Sequence, residues 1–344
     1  MRVAGPYVRA SGRVRINVAV LTGAGTMGNY NMHTTVRVVA EDGVYEVPAL
    51  TGNALKHWHS VHAAEHYQAL GGSSLNDFCK KGVGLRGRGL DGKDANDECE
   101  AIADFCNDLH GFLIPNKQIK RDSLVKFAFA VPVLTREELE RAQKFAVTHN
   151  RVDPFRPSKQ TESSEQTEMM VFKQEYSSAR YGFSAALDLG LVLTPLYSDC
   201  AKEKMPVDKS RLNQERTLRV KAAVLGLFSA LSGGTGARAA RALPIADLEE
   251  VVVAVSRFPI PALIHGSYPN YVEKSLDVLS AFAKVYGKRQ AHSGAGGSTP
   301  GSDVVTVVCY GVDCGAAEGL GVVSVKSFSQ LVEEVLKVVD VVSS

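Results

Sequence analysis

The chain lacks any apolar run long enough to cross a membrane. Its longest apolar segments, residues 221–231 and 251–255, are far shorter than the roughly 20 apolar residues that a membrane-spanning helix needs. The basic start of the sequence is not followed by the apolar core of a signal peptide. We therefore predict a folded protein with no membrane segment, and we expect a cytoplasmic location.

The chain also lacks a large net charge of either sign. Its 39 lysines and arginines exceed its 37 aspartates and glutamates by only two, which excludes a protein that coats nucleic acid through bulk charge. The charges are unevenly distributed. Arg2, Arg9, Arg13 and Arg15 precede every acidic residue, and nine basic residues between positions 202 and 241 accompany only three acidic ones. Such stripes favour a defined track for a polyanion, and a solvated charged face is the alternative.

Paired-cysteine motifs are absent. The six cysteines form no CxxC pair and have no matching histidine spacing, so a structural zinc site is not predicted. We expect most of them to be buried thiols. A disulfide such as Cys99–Cys106 stays open if the source is a hyperthermophile, because intracellular disulfides occur in such organisms.

Motifs of the common enzyme classes are missing or incomplete. There is no nucleophile elbow, Walker loop or kinase motif set. Residues 23–29, GAGTMGN, have the glycine spacing of a dinucleotide site, but a hairpin pattern turning at Asp42-Gly43 follows where a phosphate-binding helix is required. Residues 62–66, HAAEH, have the histidine spacing of a zinc protease without an evident third ligand, and we expect these histidines to pack against neighbouring elements. We therefore predict no catalytic residue, no metal and no cofactor, and hence not an enzyme.

Hydrophobic periodicity predicts an α+β fold. In chain order the predicted elements are a strand over 13–21, a hairpin, a helix from the cap Thr51 to about residue 70, a short helix near 99–109, two strand patterns, a long helix over 210–231, a strand over 248–256, a helix near 272–286, a strand over 304–310 and a final amphipathic helix. The core order is thus strand, helix, two strands, helix, strand. This is the ferredoxin-like plan that RNA-recognition (RRM-like) folds share, here with large insertions.

Two stretches have anion-binding character. LTGNALKH places Gly52 and Asn53 directly after a helix cap, with Lys56 and His57 one turn further on. An ordinary capped helix is the alternative. LSGGTGARAARALP, residues 231–244, combines glycines that permit close approach of a ligand with arginines that suit phosphate oxygens. A plain helix-to-strand loop is its alternative.

These stretches also carry a resemblance to a known family. VPALTGNALKH, RTLRVKAAVLGLFSALSGGTGARAARALP and RVRINVAVLTGAGTMGNYNMHTT resemble the CRISPR-associated DevR family, the multi-copy backbone subunit of archaeal type I-A Cascade. The agreement runs from the N-terminus to about residue 260. It is looser over 71–117 and after Pro259.

The resemblance implies a non-catalytic protein that polymerises as a helical filament along a CRISPR RNA. Its partners would be that RNA, target DNA through the guide, further copies of the chain and other Cascade subunits, with no membrane. It also implies a division of the chain into a first part of the RRM-like core (1–70), an insertion subdomain (71–117), the rest of the core (118–258) with a thumb hairpin (145–180), an insertion or linker (259–303), and a C-terminal strand and helix (304–344).

Guide-contacting residues follow from the same resemblance. They are Asn31, His33, Gly52, Asn53, Lys56, His57, Gly234, Gly236, Arg238 and Arg241, with His149 and Arg151 at the base of the thumb. Two other functions stay open. Related type III backbone subunits cleave target RNA with a loop aspartate, but no aspartate precedes Asp42 here. A transcriptional autoregulator would need a DNA-reading helix, and none is evident.

Overall fold

The computed structural model describes residues 5–151, 170–198, 210–233, 243–292 and 304–343. The strands in these ranges are β1 (Tyr7–Ala19), β2 (Gly23–Met27), β3 (Tyr30–His33), β4 (Thr35–Ala40), β5 (Gly43–Pro48), β6 (Phe112–Ile114), β7 (Ile119–Arg121), β8 (Val125–Phe127), β9 (Val131–Pro132), β10 (Lys144–Arg151), β11 (Met170–Asp188), β12 (Ile245–Ser256), β13 (Val305–Tyr310) and β14 (Gly321–Val325). The helices are α1 (Gly52–Ala69), α2 (Asp77–Lys80), α3 (Glu98–Ala101), α4 (Phe105–His110), α5 (Arg136–Arg141), α6 (Leu212–Leu231), α7 (Tyr271–His292) and α8 (Phe328–Ser343). None of these helices has the length and apolarity to cross a membrane.

One large sheet organises the molecule. Its central strands lie in the order β12-β1-β11-β10, and each pairs with its neighbours antiparallel. β13 and then β14 extend the sheet beyond β12. The long strand β11 also pairs with β8 and β9 along the edge that carries β10, and with β3 at Lys173 and Gln174, beyond the end of β1. The N-terminal half of β11 therefore continues past the sheet as a ribbon of β3, β11 and β10.

The prediction of a mixed α/β fold is confirmed, and the predicted turn at Asp42-Gly43 joins β4 to β5. Two boundaries differ. β1 begins at Tyr7 rather than at residue 13, because residues 7–12 pair with both β11 and β12. The single helix predicted over 99–109 is two helices, since Asp104 takes an extended conformation and its side chain caps α4 by accepting from the Asn107 N–H. The predicted domain boundaries stay a prediction.

One face of the sheet carries the helices and the main core. Val8, Ala10, Val14 and Ile16 alternate along β1 and are buried in the same cluster as residues of α1 and α6. α1 and α6 approach closely at Gly226, where a Cβ atom would lie 2.7 Å from the Cβ of Ala63. A larger residue at this position would force the two helices apart.

The opposite face of the central sheet is covered by the chain that follows β12. Arg9, Ser11 and Arg13 alternate with the apolar residues of β1 and so point to this face. They donate to backbone carbonyls of the covering segment: Arg9 Nε to Ile260 O at 3.0 Å, Ser11 Oγ to Ile264 O at 2.7 Å, and Arg13 Nε to Gly266 O at 2.8 Å. We name residues 258–269 the covering segment.

The prediction of a basic track at the N-terminus is therefore wrong for its inner arginines. Arg9 and Arg13 are buried and pair with Asp188 at 2.7 Å and Glu250 at 3.0 Å. Arg15 also pairs with an acid, Glu249. Arg2 lies outside the described residues. The charges of Arg9 and Arg13 are neutralised inside the fold, where a polyanion cannot reach them, whereas the Arg15 side chain stays 58% exposed.

The second predicted stripe is also partly internal. Arg219 of α6 is fully buried and bonds to Asp108 Oδ2 at 2.8 Å. Arg216 donates from Nε to the Val192 carbonyl at 3.1 Å, and Lys221 pairs with Asp340 of α8 at 2.9 Å. Of this stripe, the described basic residues on α6 thus bind other parts of the chain.

A buried ionic cluster ties residues 71–117 to the rest of the fold. Asp108 binds both Arg219 and Arg121, the latter at 2.7 Å, and Arg121 also binds Glu98 at 3.0 Å. The four side chains are completely inaccessible to solvent. Charges can be buried in this way only when each is paired and hydrogen-bonded.

The cysteines differ from the prediction of buried thiols. Cys79 is bonded to Cys106 and Cys309 to Cys314, and Cys99 is also in a disulfide. The suggested Cys99–Cys106 pair is wrong, because α2 and α4 bring Cys79 within a Cα–Cα distance of 5.9 Å from Cys106. This separation suits a disulfide.

Candidate nucleic-acid interface

The hairpin of β2 and β3 is attached to the base of the ribbon by Glu175 of β11. The Glu175 carboxylate is buried and accepts from Tyr30 Oη at 2.6 Å, from the His33 N–H at 2.6 Å and from Lys144 Nζ at 3.0 Å. Burial by itself would raise the pKa of Glu175, but these donors outweigh it and the pKa is lowered. The carboxylate is therefore an ionised anchor that fixes the hairpin against β11 and β10.

His33 lies inside this attachment. Its side chain is buried, and its Nε2 atom accepts from the Leu21 N–H at 3.1 Å. Burial lowers the pKa of His33 although Glu175 acts in the opposite direction. The neutral ring positions the hairpin, and its predicted contact with RNA stays a prediction. Asn31, two residues earlier, is half-buried and pairs with Gln174 of β11.

The ribbon has an aromatic face. Phe145 pairs in register with Tyr176, and His149 pairs with Phe172, so their side chains point to the same side. The rings of His149 and Phe172 are stacked with centroids 5.1 Å apart, and His149 Nε2 is 3.1 Å from Tyr176 Oη. Asn31 joins this face, because its β11 partner Gln174 pairs with Val147 in the same row.

Two residues of this face were missed from the sequence. Phe145 is 43% exposed and Phe172 is half-buried, in the same row as the predicted His149. The signal was the alternation in KFAVTH and in FKQEY, which places every second residue on one side. Arg151 lies at the last pair of this ribbon, opposite Met170.

The start of α1 is joined to the hairpin. Thr51 caps the helix by accepting from the Ala54 N–H at 3.2 Å, and its own N–H donates to Thr22 Oγ1 at 3.0 Å. This confirms the predicted cap. Asn53 is exposed, whereas Gly52 is buried against β8, where a Cβ would lie 2.2 Å from the Phe127 carbonyl oxygen. Gly52 thus serves the packing of α1 on β8, and its predicted contact with RNA stays a prediction.

Lys56 and His57 follow on the next turn of α1, and both are half-buried. Burial, and secondly the positive charge of Arg86, lower the pKa of each.

The glycine loop predicted to bind phosphate lies outside the described residues at Gly234, Gly236, Arg238 and Arg241. The predicted end of the helix that precedes this loop is confirmed, since α6 ends at Leu231 and Gly233 has a left-handed φ of +83°.

Comparison with known proteins identifies the family. The family described as "CRISPR-associated negative auto-regulator DevR/Csa2" matches residues 10–276. The chain belongs to the DevR/Csa2 family. The family predicted from the sequence is thereby confirmed.

Two relatives and one solved structure illustrate the similarity. The chain is 57% identical over 317 residues to "CRISPR-associated protein Cas7/Cst2/DevR" of Thermoproteus tenax, covering 91% of this chain and 89% of that protein. It is 31% identical over 269 residues to "CRISPR-associated aCascade subunit Cas7/Csa2 2" of Saccharolobus solfataricus, covering 72% and 80%. A chain of a "CRISPR RNA-guided surveillance complex, pre-nicking" aligns with a TM-score of 0.45 at 13% identity, covering 97% and 100%. A TM-score this low does not establish a shared fold.

The two enzyme-like motifs have structural roles in this DevR/Csa2 family member. GAGTMGN forms β2 and the turn at Gly28, whose φ is +58°, and it leads into β3 rather than into a helix. The histidines around HAAEH have separate partners. His59 contacts His110 and the Ala223 carbonyl, His62 contacts Glu65, and His66 contacts Ser229. The predicted packing of His59 and His66 is confirmed.

The described part of the chain contains one group of potential metal ligands, formed by Cys79, Asp104 and Cys106. Its two sulfur atoms are bonded to each other and so cannot act as thiolate ligands.

Proposed function

We propose that this chain is a non-catalytic backbone subunit that binds CRISPR RNA in a type I-A interference complex. Its membership of the DevR/Csa2 family supports the proposal, as does its 31% identity to a protein named as an aCascade subunit. Copies of the chain would assemble along the guide beside other Cascade subunits, and the guide would pair with target DNA.

The observation that carries the proposal is the aromatic face of the ribbon. Asn31 and His149 are more than a hundred residues apart, yet they lie on the same face as Phe145 and Phe172. Single-stranded RNA is bound by stacking of splayed bases on aromatic rings and by hydrogen bonds to base edges and backbone. This face offers both, on a scaffold that Glu175 holds in place.

We also propose that the core is a modified RRM-like fold. Antiparallel order β12-β1-β11-β10 with α1 and α6 on one face matches a ferredoxin-like core. An ordinary RRM binds RNA on the open face of its sheet. Here the covering segment occupies that face along β1. RNA binding is therefore assigned to the ribbon and to the start of α1. The glycine loop with Arg238 and Arg241 stays a proposed second contact.

The first test is RNA binding by substituted protein. His149→Ala combined with Phe145→Ala is expected to weaken binding of single-stranded RNA by about 1–3 kcal/mol for each base that loses its stacking partner. Thr148→Ala is the matched control, because Thr148 lies between them in sequence order on the opposite face of β10. Affinity is measured by fluorescence anisotropy. Equal affinities of the double variant and the control would contradict the proposed face.

The second test concerns catalysis. Labelled RNA incubated with the protein and magnesium is expected to stay intact. Protein purified from its native host is expected to carry small RNAs of uniform length, which tests binding of the guide. Asp42, the first aspartate of the chain, lies at the turn between β4 and β5 and binds Tyr45 Oη at 2.7 Å. Regularly spaced cleavage products would instead support the ribonuclease alternative.

A further inference from the structure

Arg86 is a half-buried cation that has no bonding partner among the residues that the structure describes. It belongs to the loop GVGLRGRG, and its side chain makes no hydrogen bond or ion pair with the residues that the structure describes. A guanidinium group has five N–H donors and stays charged. Burying such a group without a partner is unfavourable, which is why partly buried arginines normally bind an anion.

The loop holds Arg86 beside the start of α1. A Cβ at Gly84 would lie 3.9 Å from His57 Nδ1, and a Cβ at Gly82 would lie 3.2 Å from Val61 of the same helix. The loop is fixed by backbone donors, from Gly87 to Asn107 Oδ1 at 2.9 Å and from Val83 to the Phe78 carbonyl at 2.8 Å. The position of Arg86 is therefore built into the fold.

Positive charge exceeds negative charge at this place. Burial first, and then the charge of Arg86, lower the pKa of both Lys56 and His57. Neither of these side chains bonds to another described residue. Asp104 is the acidic residue that attracts the Arg86 charge electrostatically. Its two carboxylate oxygens already accept from the N–H groups of Asn107 and Asn76, at 2.9 Å and 2.8 Å. One engaged carboxylate does not neutralise the group.

We infer that Arg86, Lys56 and His57 form a phosphate-binding site through which the insertion takes part in holding the RNA backbone. This inference rests on the proposed function and adds a contact from residues 71–117 to it. An RNA phosphate fits because a guanidinium binds two of its oxygens at once, while lysine supplies a point charge. The helix start is joined to the β2–β3 hairpin through Thr51 and Thr22, so the site continues from the ribbon's base.

Arg86→Gln tests the site, with Arg88→Gln as the matched control. Arg88 lies two residues away in the same loop but pairs with Asp94 at 3.1 Å. Arg86→Gln is expected to weaken binding of single-stranded RNAs of unrelated sequence about tenfold at low salt. It is also expected to reduce the slope of log affinity against log salt by about 0.7, the value of one phosphate contact on a single strand. Arg88→Gln should keep both values.

A purely structural role for Arg86 predicts the opposite result, namely a lowered melting temperature with an unchanged salt slope, and that result would overturn the inference. An unchanged slope and an unchanged melting temperature would overturn it equally.

Failure of the proposed function is distinguishable, because the unsubstituted protein would then bind no RNA. In that case inorganic phosphate, titrated while the NMR signals of the His57 ring are followed, is still expected to shift them in the unsubstituted protein and not in Arg86→Gln. Absence of that shift would overturn the inference independently.

Discussion

Asp108→Ala is expected to lower the free energy of unfolding by about 3–5 kcal/mol, the effect of breaking a buried ionic cluster by removing one member. Asp108 accepts from Arg121 at 2.7 Å, from Arg219 at 2.8 Å and from the Leu193 N–H at 3.1 Å. Without it, each arginine keeps one acidic partner, Glu98 and Glu215 respectively. Each arginine loses a charge-assisted hydrogen bond inside the fold, and the Leu193 N–H loses its acceptor.

The measurement is urea unfolding followed by circular dichroism. Glu137→Ala is the control, because Glu137 forms an exposed ion pair with Arg141 at 2.6 Å. Such surface pairs contribute roughly 0–1 kcal/mol. A loss below about 1 kcal/mol in Asp108→Ala would mean that solvent reaches the arginines and that the cluster does not join residues 71–117 to α6.

The elements that could be predicted from the sequence are those with local causes. The Thr51 cap, the turn at Asp42-Gly43 and the end of α6 before Gly233 depend on residues a few positions apart. Their signals were therefore complete in the sequence. The rejection of a dinucleotide site at GAGTMGN had the same basis, since the following residues favour strands.

The fates of the charged residues could not be predicted, because they depend on contacts distant in sequence. Arg13 is neutralised by Glu250, and Arg9 by Asp188. The local composition of the sequence shows the arginines but not the acidic residues that pair with them in the fold. In the loop GVGLRGRG, too, the sequence does not distinguish a paired arginine from an unpaired one, although the two arginines are only two positions apart. Nothing in its letters indicates that Arg88 is paired with Asp94 while Arg86 has no bonding partner among the described residues.

The covering segment links these errors to the location of the site. Arg9 and Arg13 were expected to attract a polyanion, and instead they fix the segment that closes the sheet face. If the core is the RRM-like fold proposed above, closing that face removes the surface on which an RRM binds RNA. The ribbon is then the described surface where aromatic side chains and the predicted residues Asn31 and His149 occur together.

The His59–His110 pair is expected to make the fold sensitive to acid. His59 Nδ1 is 2.8 Å from His110 Nε2, and His59 Nε2 is 2.9 Å from the Ala223 carbonyl oxygen, so a neutral His59 donates to Ala223 and accepts from His110. Burial lowers the pKa of His59 from 6.5 to about 4 and holds the pKa of His110 well below its ordinary value. Both rings are therefore neutral in the folded protein at pH 7.

The unfolded chain binds a proton at His59 near pH 6.5, whereas the folded chain does not bind one there until about pH 4. The stabilisation from His59 is thus complete above about pH 6.5 and is lost as the pH falls toward 4, by about 3 kcal/mol in total. Unfolding free energies measured between pH 4 and pH 7 are expected to fall less steeply in His59→Gln, which cannot take up this proton. His62→Gln, on the same helix and outside the pair, is the control and should keep the steep fall. The same pH dependence in His59→Gln as in the unsubstituted protein would show that the acid sensitivity arises from other groups.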